Sequence, residues 1–295
     1  MAARGNLGKK WPGIQDLLRR EMLDFEAAFT EWRGHGTELA SRAVSDGCAL
    51  IIAMGGDGTI HDVVNGMMND GRTAAPDVAL GIIPCGTGAD FVRTLGLAGD
   101  MVAAVRHLAR TGSSRLIDLG EVTCQAGGQE RRRYFINVAG LGLDAEVTRR
   151  AGRGRQHGRG TLPYLIALAA ILPRCRSKPV SARIDGRPLQ ANAHSVIIGN
   201  GRYFGGGMCV APHARLDDGL LDVIVLGDYG PLELLWHLPK LYRGTHLGLR
   251  KVQAFQVQVV SVASTQRLLL QADGELIGEG PATFRVLPAA LRIRM

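Results

Sequence analysis

The sequence GGDGT at positions 55–59 restricts the fold more than any other segment. It follows a continuous apolar run, CALIIAM at 48–54, and precedes the helical pattern IHDVVNGMM. Such an apolar run is typical of a parallel strand buried on both faces. Three glycines let the backbone approach an anion closely, and the N-terminus of the following helix supplies N–H groups. The segment therefore predicts a strand–turn–helix unit that holds phosphate.

The aspartate in this turn restricts the chemistry further. The glycines are not followed by the Lys-Ser/Thr pair of a Walker A loop, and their spacing differs from the dinucleotide pattern GxGxxG. A carboxylate at position 57 would repel phosphate unless a cation or a water molecule lay between them. We therefore expect Mg²⁺ or a water bridge beside Asp57.

A second glycine turn, PCGTGAD at 84–90, follows the apolar run VALGIIP at 78–84. Alternation of strand, turn and helix is typical of an open parallel α/β (Rossmann-like) sheet. Because ligands bind at the carboxyl edge of such a sheet, both turns are expected at that edge. Thr87 is a candidate hydrogen-bond partner of phosphate or ribose. Asp90 is a candidate for the same site or, equally, for the cap of the next helix.

The chain changes character near residue 114. Before it, helices are predicted at 12–20, 37–46 and 101–110, with a short strand at 23–29. After it, helices are predicted only at 161–172 and 231–243, and strands at 115–123, 133–139, 180–185, 194–199, 220–226, 252–260, 266–272 and 283–287. We expect an α/β domain over 1–114 and a mainly antiparallel β-sandwich domain over 115–285. The closing segment 286–295 is expected to return to the first domain, and the active site to lie in the cleft between the two.

The charge balance favours anionic partners. The chain of 295 residues carries 35 Lys and Arg against 27 Asp and Glu, a net charge of +8. Aromatic residues make up only 5% and are not interleaved with basic ones, which argues against nucleic acid as the partner. The densest basic segment, at 149–159, is expected to be a solvated loop or a contact to anionic headgroups.

Cysteine usage and hydropathy predict a cytoplasmic protein that meets membranes peripherally. The five cysteines are scattered without a CxxC pair, as expected of reduced thiols. The first residues lack the apolar core of a signal peptide. The apolar stretch at 161–173 is shorter than the roughly 20 residues that a membrane span needs.

Taken together, the motifs resemble the diacylglycerol kinase catalytic-domain family, which includes bacterial lipid kinases and sphingosine kinases. GGDGT and PCGTGADF are followed in family order by INVAGLGLDAEV at 136–147, GNGRYFGGGMCVAPHARLDDGLLDV at 199–223 and ADGE at 272–275. The resemblance implies an ATP- and Mg²⁺-dependent transfer of phosphate to a lipid hydroxyl, with diacylglycerol or a related lipid as the acceptor.

The resemblance also implies roles for individual residues. The nucleotide phosphates would be held by Gly55, Gly56, Asp57, Gly58, Thr59, Ile60 and His61, with Thr30 and Thr87 as further contacts. The Asp218 carboxylate and the main-chain carbonyls of Arg215 and Leu220 would bind Mg²⁺. Glu275 would be the general base that removes the proton from the lipid hydroxyl. The dipeptide Asp273-Gly274 is also a preferred hairpin turn, which would present Glu275 at the cleft.

The sequence departs from the family pattern at three places. Met1–Gly5 stands where the family has the turn after its first strand, so that strand is expected to be missing. The family's Asn after the glycine turn is Ala89, and its Asn-Glu pair after GGDGT is His61-Asp62. His61 can therefore equally be an ordinary helix-face residue.

Two other functions stay open at this point. NAD kinases share the GGDG loop and the two-domain plan. The missing first strand also suits a non-catalytic relative that binds nucleotide or anionic lipid without turnover. The sequence leaves open which lipid is the acceptor and whether the chain forms a homodimer.

Overall fold

The structure, a computed structural model, describes residues 6–21, 24–85, 90–97, 101–110, 114–153 and 162–294. The helices are α1 (Asn6–Arg20), α2 (His35–Ser45), α3 (Asp57–Met67), α4 (Asp90–Thr94), α5 (Met101–Arg110), α6 (Leu143–Arg153), α7 (Leu162–Ile171) and α8 (Pro231–Arg243). Short 3₁₀ turns lie at Leu172–Arg174 and His246–Gly248.

In chain order, the strands up to residue 199 are β1 (Leu50–Gly55), β2 (Met68–Asn69), β3 (Arg72–Thr73), β4 (Ala79–Pro84), β5 (Ser114–Ala126), β6 (Gln129–Phe135), β7 (Val138–Gly142), β8 (Lys178–Ile184) and β9 (Arg187–Gly199). They are followed by β10 (Tyr203–Phe204), β11 (Met208–Cys209), β12 (Leu221–Gly227), β13 (Val252–Val257), β14 (Val259–Ala263), β15 (Leu269–Ala272) and β16 (Glu275–Arg294).

The first part of the chain is an α/β unit. Strands β1 and β4 pair in parallel, from Leu50 opposite Ala79 to Gly55 opposite Pro84. In chain order, the next helix after β1 is α3, and the next helix after β4 is α4. Apolar side chains of these strands and helices share one core, which includes Ile60, Leu80 and Phe91. The parallel α/β arrangement expected before residue 114 is therefore present.

The second part is rich in antiparallel strands. Strands β16, β14, β8, β9, β7 and β15 pair in turn, and β15 pairs again with β16. These pairings close a circuit, because the first and last strands are neighbours. The circuit surrounds a buried apolar cluster that includes Leu141, Val196, Ile198 and Phe284. Helices α6, α7 and α8 pack with a second cluster around Phe204 and Met208.

The 20-residue strand β16 joins the two parts. It pairs antiparallel with β5, β14 and β15, and near its end Arg292 and Ile293 lie parallel to Ala79 and Leu80 of β4. One strand thus belongs both to the antiparallel circuit and to the α/β sheet. The domain boundary near residue 114 stays a prediction.

The predicted strand at 23–29 is wrong for its described residues. Residues 24–29 have no regular secondary structure. The rings of Phe25 and Phe29 instead pack edge-on against Trp11 of α1, with centroids 6.2 and 5.5 Å away. The aromatic residues of this segment pack against α1 instead of forming a strand.

Two predicted strands are each divided in the structure. The segment 133–139 is split between β6 and β7 because the N–H groups of Ile136 and Asn137 donate to the Asp273 carboxylate. The segment 252–260 is split between β13 and β14 at Gln258, whose N–H donates to the Asp185 carboxylate. In both cases the backbone N–H donates to the carboxylate of an aspartate far away in the chain instead of to a neighbouring strand.

Among the described helices, none combines the length and apolar character that crossing a bilayer requires.

The packing of Gly120 yields a test of the fold. Gly120 of β5 lies opposite Phe135 of β6, and a Cβ at position 120 would overlap the Phe135 ring. That ring is fully buried and packs edge-on against Phe284. We expect Gly120→Ala to lower the free energy of unfolding by about 1–3 kcal/mol, as overpacking typically does. Chemical denaturation measures it.

The matched control is Gly248→Ala, because a Cβ at Gly248 would meet nothing within 4 Å. We expect its stability to change by no more than about 0.5 kcal/mol. Equal stabilities of the two variants would contradict the close packing of Phe135 on β5.

Candidate functional site

The strands that lead into the two glycine turns, β1 and β4, end side by side at the carboxyl edge of the parallel sheet. Gly55 ends β1 opposite Pro84 of β4, and the N–H of Cys85 donates to the Gly55 carbonyl at 3.0 Å. The Thr59 side chain occupies the space that a Cβ at Gly55 would need, which explains the glycine there. Gly86–Ala89, including the candidate Thr87, lie outside the described residues.

The Asp57 carboxylate connects the two turns. Its oxygens accept the N–H groups of Asp90 and Phe91, each at 3.2 Å, at the start of α4. Burial, and after it the negative charge of Asp90, raises the pKa of Asp57 to about 6. The carboxyl group therefore changes charge near pH 6.

Asp90 reaches into the second part of the chain instead of capping its own helix. Its carboxylate accepts the Gly206 N–H at 2.8 Å and the Arg93 guanidinium at 3.0 Å. Burial raises the pKa of Asp90, and these donors oppose the rise. Arg93 also lies 5.5 Å from the centre of the Tyr203 ring. Asp90 and Arg93 thus hold the glycine-rich turn 205–207 against the α/β unit. Local sequence patterns do not reveal this contact, because Asp90 and Gly206 are 116 residues apart.

Residues 272–275 form the expected hairpin turn. Ala272 pairs with Glu275 across β15 and β16, and Asp273 and Gly274 have φ values of 49° and 81°. Positive φ at both central residues defines the turn type that Asp-Gly favours. The predicted hairpin is confirmed.

The Asp273 carboxylate anchors this turn. It is buried, with 7% of the residue exposed, and accepts the N–H groups of Ile136, Asn137 and Val138 at 3.0, 3.0 and 3.1 Å. His61 Nδ1 lies 3.0 Å from the same carboxylate, and His61 is itself buried. His61 therefore ties α3 to the turn before Glu275, although the sequence left it as a phosphate contact or an ordinary helix-face residue.

A second buried network supports the turn from behind. The side-chain oxygen Oε1 of Gln271 accepts the Gly274 N–H at 2.9 Å, and the side-chain amide nitrogen of Gln271 donates to Asp144 at 3.0 Å. The Ser195 hydroxyl donates to the other Asp144 oxygen at 2.8 Å. Burial raises the pKa of Asp144, against the effect of these donors. The sequence singled out none of Gln271, Asp144 and Ser195, because their hydrogen-bond partners lie far away in the chain.

Glu275 lies next to the first glycine turn. A Cβ at Gly58 would be 3.6 Å from Glu275 Oε1. The other carboxylate oxygen forms an ion pair with the guanidinium of Arg33, which is largely exposed. Arg33 belongs to the segment between α1 and α2 that also contains the half-buried candidate Thr30. The structure thus brings Gly58, Glu275 and Arg33 together, and Arg33 is a member that the sequence analysis missed.

The predicted magnesium residues belong to a separate loop. The Asp118 carboxylate accepts the N–H groups of Gly219 and Ala289, each at 2.7 Å, and so fixes the loop against β16. Asp218 accepts the Leu220 N–H at 3.1 Å. Burial raises the pKa of Asp222 to about 6, with the Asp218 charge as a smaller cause. Among the described contacts, none joins Asp218 to the turns at 55–61 or 273–275.

The oxygen donors of this loop are chemically compatible with Mg²⁺. One carboxylate and main-chain carbonyls are hard ligands, and Mg²⁺ commonly keeps several waters. The Arg215 and Leu220 carbonyls flank Asp218 in the chain. Within the described ranges, no three His, Cys, Asp or Glu side chains cluster as an all-side-chain metal site would require.

The raised pKa of Asp57 yields a test by pH. A carboxyl group whose folded pKa exceeds its unfolded value stabilises the fold at low pH and loses that contribution as pH rises through the folded pKa. For Asp57 the window runs from about pH 4 to about pH 6. We expect the stability of the wild type relative to Asp57→Asn to fall by about 2–3 kcal/mol between pH 4 and pH 7.

Chemical denaturation at several pH values checks this expectation. Asp217→Asn is the control, because Asp217 is exposed. A stability difference between the wild type and Asp57→Asn that stays constant from pH 4 to pH 7 would contradict the raised pKa.

Comparison with known proteins matches both parts of the chain. Residues 1–122 match the diacylglycerol kinase catalytic domain, and residues 137–295 match the YegS C-terminal NAD kinase beta sandwich-like domain. A crystal structure of a diacylglycerol kinase from Bacillus anthracis has the same fold, with a TM-score of 0.74 and 22% identity. The matched region covers 100% of this chain and 93% of the Bacillus anthracis chain.

Curated relatives are similar over most of their length. A diacylglycerol kinase of Mycobacterium tuberculosis is 33% identical over 257 residues, which cover 86% of this chain and 79% of the relative. A diacylglycerol kinase of Bacillus subtilis is 31% identical over 273 residues, which cover 92% and 86%. With this identity over most of both chains, and with both parts of the chain matched, the protein belongs to the diacylglycerol kinase family.

Proposed function

We propose that the chain transfers the γ-phosphate of ATP to the hydroxyl group of a lipid at a membrane surface, with diacylglycerol as the first acceptor to test. One observation carries this proposal: the Glu275 carboxylate lies beside Gly58, in the glycine turn at the start of α3. A helix N-terminus after a glycine turn suits phosphate. A carboxylate next to it is suitably placed to accept a proton from the attacking hydroxyl.

In this proposal the main chain of the first turn holds the nucleotide. The donors are the N–H groups of Gly56, Asp57 and Gly58, with Thr30 and Thr87 as further contacts, because the Thr59 N–H already donates to the Gly56 carbonyl. The side chains of Ile60 and His61 are buried, one in the apolar core and one against Asp273. Both therefore contribute by anchoring the turn, while Asp57 holds it next to α4.

Glu275 acts as the general base. As the lipid oxygen attacks the γ-phosphorus, the hydroxyl proton passes to the carboxylate and the bond to ADP breaks. Arg33 neutralises Glu275 in the absence of nucleotide. Phosphate oxygens compete for a guanidinium group, because they also bind it in a bidentate way. ATP would therefore draw Arg33 away and leave the Glu275 carboxylate free to accept the proton.

Mg²⁺ is expected at Asp218 and at the main-chain carbonyls of Arg215 and Leu220. The ion supplies positive charge that phosphoryl transfer requires. Asp118 would keep this loop in place through its bonds to Gly219 and Ala289.

Replacement of the base gives the test. We expect Glu275→Gln to lower kcat for phosphate transfer by about 10²–10⁴-fold, because an amide cannot accept the proton. The measurement is transfer of labelled γ-phosphate from ATP to diacylglycerol in mixed micelles. Glu279→Gln is the control, since Glu279 lies on the same strand, partly exposed, paired with Arg267. It should keep the wild-type rate.

The acceptor panel separates this proposal from its alternatives. It also contains sphingosine, phosphatidylglycerol and NAD. Faster phosphorylation of NAD than of any lipid would select an NAD kinase. Absence of transfer to all four acceptors would favour a binding protein, and an unchanged rate in Glu275→Gln would remove Glu275 from the mechanism.

A further inference from the structure

Helix α8 has apolar residues on two opposite faces. Leu234, Leu238 and Leu241 pack against the core cluster around Phe204. Leu232, Leu235, Trp236 and Pro239 lie on the other side and are exposed. Their spacing of three, four and seven residues places them on one face of a helix. We call this set the outer stripe.

The outer stripe is unusual for a helix at a protein–water boundary. Leu232 is 82% exposed and Trp236 is 80% exposed. A surface helix normally turns polar residues outward, and contiguous exposed apolar side chains mark an interaction site. Single exposed leucines need no explanation, but a tryptophan within a four-residue apolar stripe does.

The neighbouring helix α7 also exposes an apolar side chain. Helix α8 contacts the 3₁₀ turn Leu172–Arg174, which directly follows α7. The sequence of α7, LPYLIALAAI, contains no charged residue, and Ile166 on it is 59% exposed. The two helices thus present apolar side chains from adjoining segments.

Basic residues accompany this surface. The segments 162–176 and 231–251 contain six basic residues and one acidic residue; these are Arg174, Arg176, Lys240, Arg243, Arg250, Lys251 and Glu233. Arg243 continues the outer stripe one turn beyond Pro239. Glu233 is already engaged, because it accepts the Gly230 N–H and pairs with Lys251. Lys251 balances Glu233, and the other five basic residues of these two segments have no acidic residue within the segments to balance them.

This charge distinguishes between two partners for the stripe, a second copy of the chain and an anionic bilayer. A second copy of the chain would bring the same positive charges face to face across a two-fold interface, which disfavours it. An anionic bilayer provides both partners that the surface needs. Helices with Trp and Leu on one side and basic residues beside them lie in the headgroup region of such bilayers.

Both helices also lead towards the candidate site. Burial raises the pKa of Tyr242, near the end of α8, and the negative charge of Asp90 raises it further. Burial, Asp144, Tyr242 and Asp90 likewise raise the pKa of Tyr164 on α7. The Tyr164 ring packs edge-on against Phe204, with centroids 5.7 Å apart. Helix α8 also contacts β11, β11 pairs with β10, and β10 contacts α4, which begins at Asp90. A surface that binds through α8 would therefore lie close to the group of residues around Asp90.

We propose that the outer stripe of α8 is a membrane-docking surface, which inserts Leu232, Leu235 and Trp236 among the headgroups of an anionic phospholipid bilayer. Arg243 and the neighbouring basic residues bind the lipid phosphates. The proposal deepens the proposed function, because docking here would bring the site to a lipid acceptor, but vesicle binding tests it independently of catalysis.

Sedimentation with vesicles is the experiment. The full chain is mixed with vesicles of phosphatidylcholine alone or with phosphatidylglycerol added. We expect binding to the anionic vesicles, and a loss of roughly tenfold or more in affinity for Leu235→Ala/Trp236→Ala. Because both side chains are exposed, the variant should keep the wild-type fold, which thermal unfolding verifies. Trp32→Ala is the control, since Trp32 is an exposed tryptophan elsewhere on the surface, and its binding should be unchanged.

Three results would overturn the proposal. The double variant binds anionic vesicles as tightly as the wild type. Alternatively, both Trp variants lose binding equally. Finally, the double variant converts a wild-type dimer into a monomer, as measured by analytical ultracentrifugation, while vesicle binding stays the same. In that last case a second copy covers the stripe.

Phosphate transfer distinguishes failure of docking from failure of the proposed function. If docking is right, the double variant loses activity on diacylglycerol in vesicles but keeps it on a short-chain diacylglycerol in solution. Vesicle binding without transfer to any acceptor would remove the proposed function and leave docking supported. Transfer in solution by a wild type that does not bind vesicles would do the reverse.

Discussion

The buried carboxylate of Asp273 is the interaction on which the rest of the site depends. It accepts three consecutive backbone N–H groups, at 136–138, and lies within hydrogen-bond distance of His61. A buried carboxylate is tolerated only when such partners satisfy it. These bonds divide what would be one strand into β6 and β7, fix the hairpin turn before Glu275 and join α3 to the β-rich part. The position of Glu275 beside Gly58 follows from them.

The long strand β16 supplies the second constraint. It begins at Glu275, closes the antiparallel circuit through β14 and β15, and ends in parallel with β4 of the α/β unit. Its backbone hydrogen bonds hold both parts of the molecule to one strand. Asp90 adds a side-chain link between the parts by accepting from Gly206. The candidate site therefore lies where strand β16 and the buried carboxylate of Asp90 join the two parts of the molecule.

Local patterns predict much of this arrangement. The apolar runs before residues 55 and 84 correctly indicate parallel strands, α8 has the predicted bounds, and the motifs correctly indicate the diacylglycerol kinase family. The remainder depends on long-range partners. Arg33 pairs with Glu275, which lies about 240 residues further along the chain. Asp273 interrupts a strand that lies about 135 residues before it. The apolar segment at 24–29 resembles a strand, but its aromatic rings pack on Trp11 instead.

Hydrogen–deuterium exchange with a non-hydrolysable ATP analogue and Mg²⁺ tests the central claim most directly, namely that the GGDG turn and the turn before Glu275 form one site. If they do, the analogue slows amide exchange at 55–61 and at 273–276 over the same range of analogue concentration. Slower exchange at 55–61 alone, with 273–276 unchanged, would contradict the claim. The two turns would then be neighbours that do not share a ligand.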